Sequence, residues 1–125
     1  MAGLILVVDD DDPVRLMLSR LLRTQGYTVV QAANARAAQA AIETSVPDLV
    51  ISDIVMPGES GIELRRTISD RWPELPVILI SGYSAEGPAE FAARTPLTHF
   101  VQKPFAADEF IALVESTLTA AAASS

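Results

Sequence analysis

Five short apolar runs, each followed by a segment with helical spacing, alternate along the whole chain. This alternation allows few folds. A continuous apolar run such as Leu4–Val8 suits a strand covered on both faces, and strands separated by helices pair in parallel through right-handed crossovers. Asp12 reads as an N-cap with Pro13 at the first helical position, and Val14, Met17, Leu18, Leu21 and Leu22 then form one stripe that Gly26 closes. Tyr27–Val30 makes a second, more polar strand, and Asn34 caps a helix through Thr44 with Ala38, Ala41 and Ile42 inward. Asp48–Ser52 is the third strand. Ser60 to Glu63 is a capping box opening a helix to about Trp72, and Val77–Ser81 is the fourth strand.

Gly87 and Pro88 shorten the next helix to roughly residues 88–94. His99–Gln102 is the fifth strand, and a last helix starts near Ala107 with Phe110, Ile111, Val114 and Leu118 on one face. The expected fold is α/β, a flavodoxin-like, doubly wound (βα)5 unit of order 2-1-3-4-5 with the purely apolar strands central. The 125 residues make one domain with its core over about 4–118, and the stretch 120–125 has no reason to be ordered.

Half of the residues are apolar, which permits a sizeable core. No apolar run reaches the ~18 residues of a membrane span, and the lack of cysteine suits a reducing cytosol, so a cytoplasmic location away from membranes is expected. A net charge of −7 disfavours contact with nucleic acid.

Ligands of open parallel sheets bind outside the carboxyl ends of the strands. Those ends carry Asp9 and Asp10, Asp53, Ser81 and Lys103. Three carboxylates in one crevice repel each other unless a cation sits among them, and an oxygen-only set with no His or Cys suits Mg²⁺, with Mn²⁺ as a substitute. Beside such an ion a carboxylate can attack a phosphoryl group, with Lys103 and Ser81 holding its oxygens.

Val7-Val8-Asp9-Asp10, the Pro47 to Val50 run followed by Asp53-Ile-Val-Met-Pro57-Gly58, Leu79-Ile80-Ser81-Gly82 and Lys103-Pro104-Phe105 resemble the signature blocks of response regulator receiver domains. The separations Asp53 to Ser81 (28 residues) and Ser81 to Lys103 (22 residues) are similar to the family's. The resemblance implies that Asp53 accepts phosphate from a phosphohistidine on a histidine kinase or a histidine phosphotransfer protein. It implies Mg²⁺ held by Asp10, Asp53 and the Val55 carbonyl, with Asp9 acting through water, and a cis Lys103–Pro104 bond. Ser81 matches the switch hydroxyl and Phe100 the switch aromatic, which together would alter the face of the fourth and fifth strand–helix units for a downstream protein.

Ser81-Gly82-Tyr83 looks like receivers of hybrid histidine kinases, and Val55 and Tyr83 beside the acceptor suggest slow self-dephosphorylation. Thr98-His99 stands where the family has Gly-Ala. Two other readings remain open. One is a receiver-like interaction domain that works without phosphorylation. The other is a haloacid dehalogenase-type phosphatase with Asp9 as nucleophile and Asp11 as acid/base, although Pro13 departs from that motif.

Overall fold

The computed structural model describes residues 3–82, 97–103 and 105–124. Five parallel strands, β1 (Leu4–Val8), β2 (Thr28–Ala32), β3 (Leu49–Asp53), β4 (Val77–Ser81) and β5 (Thr98–Gln102), form one sheet of order β2-β1-β3-β4-β5. The expected doubly wound α/β order is the observed one. Four helices are described: α1 (Asp12–Thr24), α2 (Ala35–Thr44), α3 (Gly61–Arg71) and α4 (Ala107–Ser124). The short helix expected over 88–94 lies outside the described residues.

Each strand of the central trio feeds both faces, as its unbroken apolar sequence requires. Leu6, Val8, Val50, Val77 and Leu79 pack with Ala38 and Ile42 of α2 and Leu64 and Ile68 of α3. Ile5, Val7, Ile51, Ile78 and Ile80 pack with Leu18 and Leu22 of α1 and Phe110 and Val114 of α4. The core is therefore two layers divided by the sheet, and side-chain alternation along each strand decides which layer a residue joins.

Local chemistry explains the element ends. Asn34 caps α2 by accepting from the Ala37 N–H at 2.8 Å, and Ser60 and Glu63 close both bonds of the α3 capping box. Gly26 has φ of +92°, the left-handed conformation that ends α1. The α1 cap is Asp11 and not Asp12: the Asp11 carbonyl takes the first helical bond, from the Arg15 N–H, and its side chain accepts from the Val14 N–H. Four consecutive aspartates offer equivalent caps, and Asp12 is instead drawn into an ion pair with Arg15.

The strand expected over Tyr27–Val30 runs one to two residues later, because β2 is an edge strand whose ladder is set by β1. The last helix continues to Ser124, into the stretch expected to lack order; four consecutive alanines there have the highest helix propensity. Away from the acidic edge, α3 carries a buried charged side chain. Arg65 of α3 is 2% exposed and donates through Nε to Thr98 Oγ1 at 2.7 Å and through Nη1 to the Leu75 carbonyl at 3.0 Å. It ties α3 to the start of β5, and burial pulls its pKa down.

Candidate functional site

Asp9 follows the last residue of β1 and Asp53 is the last residue of β3, so the parallel register of Val8 with Ser52 brings the two acids side by side. Asp10 follows in the β1–α1 turn. Carboxylate oxygens of Asp9, Asp10 and Asp53 lie within 4.8 Å of one another. Lys103, just beyond β5, places its Nζ 3.8 Å from Asp9 Oδ2 and 4.0 Å from Asp53 Oδ2. Ser81 ends β4 and is buried, and its carbonyl accepts from the Lys103 N–H at 2.8 Å. All five residues expected at this edge are thus brought to it.

The three acids have different surroundings. Asp9 is 1% exposed and Asp10 is exposed, with Asp53 between them. Burial pushes the Asp9 carboxyl above its ordinary value; the Asp11 N–H, which donates to Asp9 Oδ1 at 2.9 Å, opposes this, while the charges of Asp53 and Asp10 add to it. Burial likewise raises the Asp53 carboxyl, opposed first by the Lys103 charge and then by the backbone N–H groups of Val55 and Ile54. Two carboxylates that resist ionisation, beside a third, form a donor set of hard oxygens that a divalent cation would offset. The residues present fit Mg²⁺ on that ground.

The backbone behind Asp53 is close-packed. Gly61 opens α3 with its N–H donating to the Ile54 carbonyl at 2.9 Å. A Cβ at Gly61 would overlap the Asp53 carbonyl oxygen and sit 2.9 Å from Ile54 Cα, so only glycine lets α3 start there. Val55 is 52% exposed beside the acceptor, whereas Met56 turns back into the core. Tyr83, expected to tune dephosphorylation, and the Lys103–Pro104 peptide bond expected to be cis involve residues outside those described.

Phe100 is partly buried on β5, in register with Leu79, and packs against the layer built on α2 and α3. Side-chain alternation puts Phe100 on the same sheet face as Ser81. His99 is exposed and outside the acid cluster. Asp11 caps α1 and is not among the clustered carboxylates, unlike the acid/base role the phosphatase reading gave it.

The sequence reading passed over two residues of this neighbourhood. Gly61 was hidden inside a capping box, where its lack of a side chain carries no signal. Arg15 lies outside the apolar stripe of α1; its guanidinium donates to the Asp9 carbonyl at 2.8 Å and to Gln31 Oε1 at 3.1 Å and pairs with Asp12 at 2.6 Å. Its spacing three residues after Asp12 was the available clue.

Comparison with known proteins agrees with this architecture. The family model for the response regulator receiver domain matches residues 5–115. The DNA-binding transcriptional regulator NtrC of Salmonella typhimurium is 38% identical over 117 residues, which cover 94% of this chain and 25% of that protein. The crystal structure of the receiver domain of NtrX from Brucella abortus aligns with a TM-score of 0.86 at 38% identity, over 92% of this chain and 98% of that one. A CheY-like response regulator receiver domain protein from Methanospirillum hungatei aligns over 100% of both chains with a TM-score of 0.92 at 25% identity. The chain spans about a quarter of the length of the NtrC relatives it matches. With that match added to the sheet order and the acidic edge, the chain belongs to the response regulator receiver domains, the switch modules of two-component signalling.

Proposed function

We propose that Asp53 is the phosphoacceptor of this domain and that Mg²⁺ held by Asp10, Asp53 and the Val55 carbonyl, with Asp9 acting through water and Mn²⁺ as a substitute, supports the transfer. The family consists of signalling switches rather than turnover enzymes. The observation that carries the reading is the convergence of three carboxylate oxygens within 4.8 Å beneath a lysine ammonium. An Asp53 carboxylate oxygen attacks phosphorus, the P–N bond of the donor phosphohistidine breaks, and its electron pair stays on the imidazole nitrogen. A bound divalent ion would supply charge neutralisation between the carboxylates and the incoming phosphoryl group.

The chain's own residues do the rest. Lys103 lies where it can take one phosphoryl oxygen, and the Ser81 hydroxyl another. Ser81 engagement would draw Phe100 inward along their shared sheet face and alter the surface of the fourth and fifth strand–helix units for a downstream protein. Val55 and Tyr83 would slow hydrolysis by limiting the approach of water.

The donor, a histidine kinase or histidine phosphotransfer protein, would dock on α1 and the Pro104–Phe105 loop. Leu16 and Met17 of α1 are 43% and 54% exposed, an apolar patch suited to a helical partner. We place the domain in the cytoplasm; among the described residues no helix is long and apolar enough to cross a membrane. NtrC is named a DNA-binding regulator, but the acidity of this unit, −7 overall, argues that the receiver itself does not touch nucleic acid.

The test is intact mass after incubation with Mg²⁺ and acetyl phosphate, for the wild type and Asp53→Asn. One added phosphoryl group that requires Mg²⁺ and is absent from the variant is expected. An adduct that persists in Asp53→Asn would move the nucleophile elsewhere. No adduct with either acetyl phosphate or a phosphohistidine donor would favour phosphorylation-independent binding.

A further inference from the structure

Arg15 spends its three guanidinium nitrogens on three segments. Nη1 donates to the Asp9 carbonyl at the end of β1, Nη2 pairs with Asp12 in the first turn of α1, and Nε donates to Gln31 of β2. The side chain is 15% exposed, and the Ser19 hydroxyl donates to the Arg15 backbone carbonyl at 2.7 Å. A planar fork that meets three oxygens at 2.6–3.1 Å has little rotational freedom left.

The Asp9 carbonyl belongs to the peptide unit that joins Asp9 to Asp10. Holding this oxygen fixes the plane from which the Asp10 side chain departs. At the other end of Asp9, its carboxylate is held by the Asp11 N–H, and its own N–H donates to the Ala32 carbonyl at 3.1 Å. Asp10, by contrast, is exposed, and its direction depends on its backbone. Arg15 also offers a positive charge to a block of four consecutive acids.

These two effects oppose each other for a cation. A guanidinium near the acids repels a divalent ion, whereas a clamp on the Asp9–Asp10 peptide lowers the cost of assembling the carboxylates around it. We infer that Arg15 is a positioning residue for the divalent-cation site, and that its clamp on the Asp9 carbonyl outweighs its charge. The inference rests on the metal reading above and adds to it the residue that presets the acid turn.

The opposite signs make the test direct. Mg²⁺ affinity of the full chain is measured by isothermal titration calorimetry and by amide chemical shifts of the β1–α1 turn, for the wild type, Arg15→Lys, Arg15→Met and Gln31→Met. Lysine keeps the charge and loses the fork; methionine loses both. If the clamp dominates, both Arg15 variants bind Mg²⁺ roughly tenfold more weakly, the usual size for losing a group that orients metal ligands. Gln31→Met, which frees only Nε at the edge strand, then weakens binding by a smaller factor. Unchanged affinity in Arg15→Lys, or tighter binding in Arg15→Met, would overturn the inference in favour of simple charge repulsion while the metal reading stands. A wild type that binds no Mg²⁺ would overturn both. Amide spectra of α2 and α3 report whether each variant is folded, and Gln31→Met leaves the arginine in place should α1 fail without it; full Mg²⁺ affinity in that variant would overturn the inference.

Discussion

Gly61→Ala should be a costly single-methyl addition despite being conservative in name. The new Cβ would overlap the Asp53 carbonyl oxygen and lie 2.9 Å from Ile54 Cα and 3.0 Å from the Asp53 carbonyl carbon, where ordinary contact begins at 3.4 Å. All three neighbours are backbone, so no flexible side chain can yield. Either α3 backs away by at least half an ångström or the end of β3 bends. Both stretch the 2.9 Å bond from the Gly61 N–H to the Ile54 carbonyl. Overpacking of this kind costs about 1–3 kcal/mol and a weakened backbone bond about 1 kcal/mol, against roughly 1 kcal/mol recovered from the better helix propensity of alanine. The net loss of about 1–3 kcal/mol corresponds to a fall in Tm of roughly 4–12 °C for a domain of this size. Calorimetry of Gly61→Ala should be run beside Gly58→Ala. Gly58 has φ of +79° with nothing within 4 Å of its Cβ position, so its substitution reports backbone strain alone. Asp53 should also accept phosphate more slowly in Gly61→Ala, because its carbonyl is displaced. A Tm within 2 °C of the wild type, with an unchanged phosphorylation rate, would refute the steric reasoning.

Three further outcomes are expected. Because burial raises the folded-state pKa of Asp9 and Asp53, the folded protein binds more protons than the unfolded chain between the two values, so stability falls as pH rises through that window and the loss is complete above the folded pKa. Metal-free Tm should therefore decline as pH rises above the ordinary carboxylate value, and Asp53→Asn should flatten the profile; parallel profiles would contradict this. Thr98→Val removes the hydroxyl that accepts from Arg65 Nε and should cost about 1–3 kcal/mol in urea unfolding, with denaturation unchanged from wild type as the opposing result. Lys103→Gln should slow phosphoryl transfer from acetyl phosphate by roughly a hundredfold while leaving the fold intact, and a rate near wild type would remove Lys103 from the proposed chemistry.

What could be read in the sequence follows from how local each signal is. Val77–Ser81 is a strand from end to end because its apolar run is bounded on both sides, by Pro76 and Gly82. The acids at the ends of β1 and β3 were legible because parallel pairing brings successive carboxyl ends to one edge whatever the loops do. The β2 boundary was not, since an edge strand with an exposed face takes its limits from its neighbour. The α1 cap slipped by one because Asp9 to Asp12 are chemically identical, and only the fold buries one, caps with another and pairs a third. Arg65 and Arg15 were invisible as functional positions, since an arginine's partners can lie on strands far away in the chain.

The residues that the motif reading passed over share one property: they act on backbone. Gly61 lets α3 start against the Asp53 carbonyl, and Arg15 holds the Asp9 carbonyl. The recognisable residues supply charge and nucleophilicity, which depend on side-chain type and therefore show as letters. The holding residues supply placement, which depends on where two chain segments meet. Carboxylates that burial makes reluctant to ionise gain most from being held, because each must keep its position while its charge is unfavourable. A variant of the acids should therefore change what the site binds, whereas a variant of Gly61 or Arg15 should change how tightly and how fast it does so.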